Sequence, residues 1–198
     1  MTGSNETPTL VVGLDGATFD IIDPMIKQGK LPNIKRLMDM GSRAKLASSS
    51  PPLSAIAWTT ITTGVNPGKH GIYDFAHRAR KSYEFIPYTA KDKRAPSLWG
   101  HLSENGKSVC VVNVPLTYPP EEVNGVMLSG FPSPPNSMDW TYPQSLAEDL
   151  KREFGDDDFQ KPVSLVPEGE EGALLDALET TTRNQMRVIA YLMKQRRY

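Results

Sequence analysis

Short β-branched apolar runs alternate with segments of helical periodicity along this 198-residue chain. "TLVVGL" (9–14), "RAKLASSS" (43–50), "SVCVVNV" (108–114) and "GVMLSGF" (125–131) have strand length and strand composition. Between them lie helical patterns. One runs over about 19–27 and is closed by Gly29; a second covers 32–40, with Pro32 in its first turn and Gly41 after it. "SAIAWTTITT" follows Pro51-Pro52 and ends at Gly64, and Leu98, Trp99 and Leu102 form an inward stripe that Ser97 can cap and Gly106 stops. "YPQSLAEDLKREFG" (142–155) and 168–197, where Leu174, Leu178, Ile189, Leu192 and Met193 recur at near-helical spacing, complete the set. Alternation of this kind predicts an α/β fold: a parallel sheet sandwiched by helices on both faces.

With 38% hydrophobic residues the chain has apolar material for one core, so a single domain over 1–198 is expected, with residues 1–8 disordered. A net charge of -1 gives no global field, which argues against a nucleic acid or an anionic membrane as partner. The basic stretch His77–Arg94 and the acidic 155–158 read as solvated loop faces. No run approaches the roughly 18 apolar residues of a membrane helix, and "MTGSNETPT" has neither the basic start nor the apolar centre of a signal peptide, so a cytoplasmic location is the default. The single cysteine, Cys110, excludes an intrachain disulfide and reads as a small buried residue.

"TTGVNPGKHGIYDF" (62–75) invites comparison with a phosphate-binding loop, and fails it. Gly64 and Gly68 stand too close, His70 follows Lys69 where a hydroxyl is needed, and Pro67 removes a backbone N–H from the cradle. "GLDGAT" lacks the dinucleotide-binding glycine pattern as well. Two other positions carry more promise. Asp15 ends the first predicted strand, where open α/β sheets hold ligands, and an acid there suits a metal; a turn or helix-cap role is the plain alternative. Ser54 opens an apolar helix. Serine is a preferred N-cap, and the same position offers free N–H groups and the positive end of the dipole to an anion, with a hydroxyl able to attack phosphorus.

Taken together, "VVGLDGATFDII", "GKLPNIKRLMDMGS" and "PPLSAIAWTTITTGVNPGKHGIYDF" resemble the type I phosphodiesterase/nucleotide pyrophosphatase family of the alkaline phosphatase superfamily. The most specific match is Thr63-Gly64, Pro67 and His70-Gly71-Ile72 at the family's spacing; "APSLW", "NVPLTYPP" and "GVMLSGF" look like its prokaryotic branch. The resemblance implies an alkaline phosphatase-like fold and hydrolysis of small phosphate esters through a covalent phospho-enzyme. It implies two divalent metal ions, zinc in most relatives with manganese as the alternative. Asp15 matches a metal-binding aspartate and Ser54 the nucleophile and metal-bound hydroxyl. Ala57 stands where many relatives carry a phosphate-binding asparagine, which leaves the Ala55 backbone N–H or Lys69 to bind substrate. His70 matches a loop histidine that does not bind metal.

The family's D-x-x-x-H element, Asp-His pair and further histidine have no counterpart among His70, His77 and His101. The expectation is therefore a truncated, N-terminal portion of the catalytic domain with an incomplete metal site. Two alternatives follow: a non-catalytic binding module that self-associates through an unpaired sheet edge, or a related superfamily phosphatase or phosphomutase. The Cys/Ser-x-Pro-x-Arg run of sulfatases is absent after Ser54.

Overall fold

The computed structural model describes residues 8–134, 137, 139–155 and 171–195. The acidic run 156–158, the ends of the last predicted helix and residues 1–7 of the expected disordered start lie outside the described residues. Where the sequence predicts one domain, the chain divides into two compact units, Met1–Ala47 and Ser48–Tyr198.

The first unit holds two helices, α1 (Phe19–Lys27) and α2 (Pro32–Met40). Thr18 caps α1 by accepting from the Asp20 N–H at 3.3 Å, and Pro32 opens α2 as its fixed φ favours. Neither helix has a buried residue. Arg43 bridges back to Asp23 at 2.7 Å and stacks on the Phe19 ring at 3.8 Å. Here the structure corrects the prediction of strands at 9–14 and 43–50, because neither segment forms one. Val11 is 77% exposed and Leu46 84% exposed. A β-branched run becomes a strand only when its N–H and C=O groups find a ladder, and no strand in either unit pairs with these two segments among the described residues.

The second unit follows the alternation more closely. Its elements are α3 (Ser54–Thr63), α4 (Pro67–His70), the hairpin β1 (Ala76–Arg78) and β2 (Phe85–Pro87), a 3₁₀ turn at Ala90–Asp92, α5 (Leu98–Glu104), β3 (Val109–Val114), β4 (Gly125–Ser129), β5 (Thr141–Tyr142), α6 (Ser145–Phe154) and α7 (Glu171–Gln195). β3 and β4 run parallel, and β5 joins β4 antiparallel. The predicted extended parallel sheet is thus represented, among the described residues, by one parallel pair in a three-stranded sheet.

That sheet has helices on both faces, and period-two alternation assigns the side chains. Val126 and Leu128 of β4 pack with Leu146 and Leu150 of α6 and with Val188 and Leu192 of α7. Met127, between them in sequence, faces the other way with Val109, Val111 and the Trp99 ring of α5. Cys110 packs against the α6–α7 side, where burial pushes its thiol up to about 11. The cysteine is half-buried, where the sequence suggests a buried one.

Gly125 allows the two parallel strands to start in register. It has φ +143, and a Cβ there would lie 2.0 Å from the Val109 carbonyl oxygen. At the other end the crossover is stitched by hydroxyls. Thr117 donates to the Val114 carbonyl at 2.6 Å and accepts from the Gly130 N–H at 2.9 Å, while Ser129 donates to the Thr117 carbonyl at 3.0 Å.

Candidate active site

α3 begins one residue earlier than its serine suggests. Leu53, with extended φ -104 and ψ 137, occupies the cap position and its carbonyl takes the first helical bond from the Ala57 N–H at 2.9 Å. Ser54 is the first residue inside the helix, and there is no side-chain cap. The N-cap reading of Ser54 is therefore corrected: the leucine side chain at the cap cannot accept a hydrogen bond, and Ser54 stands beyond the position from which serine does so. The N–H groups of the first turn have no partner within the helix, and the dipole adds a partial positive charge at the same end.

The helix behind Ser54 is held from both sides. Ala55, Ile56 and Thr59 are buried, and Ala55 packs with Ile72 and Leu116. Thr59, Thr62 and Thr63 return their hydroxyls to carbonyls four residues back, at 2.8, 2.8 and 2.6 Å, which satisfies these hydroxyls within the helix. Ala55 is 0% exposed as a whole residue, so its backbone N–H is covered.

The 62–75 motif forms the other end. Gly64 is the C-cap at φ 68. Pro67 starts the single turn of α4, and His70 closes it, fully buried. The Nδ1 of His70 accepts from the Ile72 N–H at 3.1 Å, which leaves the proton on Nε2 to donate to Thr60 Oγ1 at 3.1 Å. Burial lowers its pKa from the usual 6.5, so the ring is neutral. The histidine anchors the loop to the C-terminal half of α3, and Lys69 beside it is exposed on that half rather than at the Ser54 end.

Asp15 stands in the first unit, in the turn that Gly16 completes at φ +66, and the capping of α1 belongs to Thr18 three residues on. It does not end a strand, so the placement at a sheet's carboxyl edge that the sequence predicted is not formed. Among the described residues no group of three or more His, Cys, Asp or Glu side chains could hold a metal ion. Asp15 lies in the first unit and Ser54 in the second, and a catalytic zinc takes three donors from its protein. The described residues therefore do not fit a complete metal site.

One polar cluster escaped the sequence reading. Lys93, in the stretch read as a solvated loop, has a side chain only 8% exposed and meets Glu121 at 2.6 Å. The second Glu121 oxygen accepts from Ser97 Oγ at 2.7 Å, and Ser97 in turn caps α5 through the Gly100 N–H at 3.0 Å. No local pattern joins position 93 to position 121; the only hint was Ser97 as a cap.

No helix among the described residues is long and apolar enough to cross a membrane. No solved structure matches the chain. A family model described as type I phosphodiesterase / nucleotide pyrophosphatase matches residues 9–192. The match takes in Asp15, Ser54 and the loop that His70 anchors, and this chain belongs to the type I phosphodiesterase / nucleotide pyrophosphatase family.

Proposed function

We propose that the chain acts on small phosphate esters of the phosphodiester or pyrophosphate type, with Ser54 as nucleophile. The observation that carries this reading is the position of Ser54 inside the first turn of α3, with Leu53 holding the cap. Ser54 Oγ forms a bond to phosphorus as the bond from phosphorus to the leaving oxygen breaks, and the hydroxyl proton ends on the leaving group. Water then takes the phosphoryl group and restores the serine. The positive end of the α3 dipole favours the anionic group throughout, by roughly 0.3–2 kcal/mol.

Two divalent cations, zinc or manganese, belong to the same reading, with Asp15 and Ser54 as two of their donors. The Ala55 N–H and Lys69 are its weaker parts, since the first is covered and the second is exposed on the C-terminal half of α3. The reading includes work in the cytoplasm and self-association through the outer edge of β3, which ends its sheet with no partner among the described residues.

The test is hydrolysis of a chromogenic phosphodiester by the purified chain, with zinc or manganese supplied. Ser54→Ala is expected to lower turnover by about a thousandfold or more while leaving the unfolding midpoint in place. Turnover that survives Ser54→Ala overturns the nucleophile. A second reading, a non-catalytic binding module of the same family, is favoured by the absence of a three-donor cluster among the described residues. It predicts no turnover from the wild-type chain under any metal.

A further inference from the structure

A cleft of about 550 Å³ opens in the second unit. Its walls are the 3₁₀ turn with the chain that follows it, Ala90–Pro96, and the loop Pro119–Glu121. The two walls are tied together. The Ala90 N–H donates to the Tyr118 carbonyl at 2.7 Å, and Glu121 receives Lys93 at 2.6 Å and Ser97 at 2.7 Å. Both carboxylate oxygens are thereby engaged in the wall. Of the lining charges, Lys93 and Glu121 cancel, and Lys91 and Arg94 remain.

Neither Lys91 nor Arg94 has an ion-pair or hydrogen-bond partner for its side chain among the described residues. Arg94 is nevertheless held. Its N–H donates to the His70 carbonyl at 3.0 Å, and its stem lies against Gly71, where a Cβ would meet Arg94 Cδ and Nε at 3.2 Å. Gly71 has φ +79, a left-handed backbone that favours glycine, and a side chain there would also press on the Arg94 stem. Arg94 is exposed, and a stem that rests on the backbone at Gly71 presents the guanidinium fork to the cleft. With a lysine as second cation it suits a bidentate oxyanion. The cleft volume lies within the usual range of small-molecule sites.

Neither Ser54 nor Asp15 is among the residues that line the cleft, although Ile72, beside the Gly71 that Arg94 touches, packs with Ala55 next to Ser54.

We propose that this cleft is a second anion site, in which Arg94 and Lys91 bind the phosphoryl group of a small phosphorylated molecule or free phosphate. It does not depend on the hydrolase reading, because neither Ser54 nor Asp15 lines it.

The experiment is titration of the whole chain with inorganic phosphate and, separately, with phenylphosphonate, at constant ionic strength set by chloride, followed by calorimetry and amide chemical shifts. Saturable binding is expected, with shifts at residues 90–96 and 119–121. Arg94→Gln should weaken it by about tenfold and Lys91→Gln by about threefold, while Ser54→Ala leaves it unchanged. Lys91 is exposed and supports no packing, so its variant reads the site independently of the Arg94 stem. Binding of both probes means the site takes a phosphoryl group on an organic stem, and binding of phosphate alone means it takes the free ion. No saturable binding, binding unaltered in both charge variants, or binding lost in Ser54→Ala but kept in Arg94→Gln would each overturn the proposal.

Discussion

Two apolar, valine-containing hexapeptides behave differently. "TLVVGL" at 9–14 is exposed and unpaired, while "VCVVNV" at Val109–Val114 is a core strand. Both are β-branched and apolar, so propensity does not separate them. The difference is what each unit supplies around its run. β3 has a parallel partner, a glycine that lets the strands approach, and helices on both faces. The first unit supplies, among the described residues, two short helices without a buried residue and no strand. A strand is a property of a ladder and its covering layers, and an isolated run inherits none of it.

That contrast is easiest to break at its tightest point. Gly125→Ala puts a methyl 2.0 Å from the Val109 carbonyl oxygen on a φ of +143. A loss of about 3 kcal/mol or more in denaturant unfolding is expected; a near-neutral result would mean the β3–β4 ladder does not need this approach. Next in size is a matched pair. Leu146→Ala removes a fully buried side chain from the α6–α7 face and should cost about 3 kcal/mol. Leu46→Ala, at 84% exposure, should stay within about 0.5 kcal/mol. Equal costs would erase the distinction between the units.

A smaller effect is expected in the wall of the cleft. Glu121→Ala leaves the Lys93 ammonium, 8% exposed, without its partner, and should cost about 2 kcal/mol; Glu121→Gln, which keeps an acceptor for Ser97, should cost less. Thermal midpoints of the two variants measure the gap.

The smallest effect is the pH response of His70. Its folded pKa is depressed, so below the unfolded value of 6.5 the unfolded chain takes up a proton that the folded chain refuses. The sign follows: stability is kept above 6.5 and falls as the pH drops below it. Protonation also puts a hydrogen on the Nδ1 that accepts from Ile72. The unfolding midpoint should fall between pH 7 and pH 5 by more in the wild type than in His70→Gln, and an equal fall would remove His70 as the cause.

Much of the second unit was legible from residues alone. Gly64 marks the end of α3, Ser97 caps α5, and the short apolar runs at β3 and β4 are strands. These are local matters, decided within a few residues by backbone freedom, capping groups and side-chain alternation. The site was less legible. Serine before an apolar helix looks like its cap, and only the backbone angles of Leu53 moved Ser54 one step inside.

The sequence by itself determined the family, through ordered motifs that need no coordinates, and most helix boundaries, because both are written in neighbouring residues. Tertiary structure alone decided which apolar runs become strands. It also decided that Lys93 is buried against Glu121 and that Arg94 rests on Gly71. Each of these joins residues far apart in the chain, where burial and pairing, and no local propensity, select the partner.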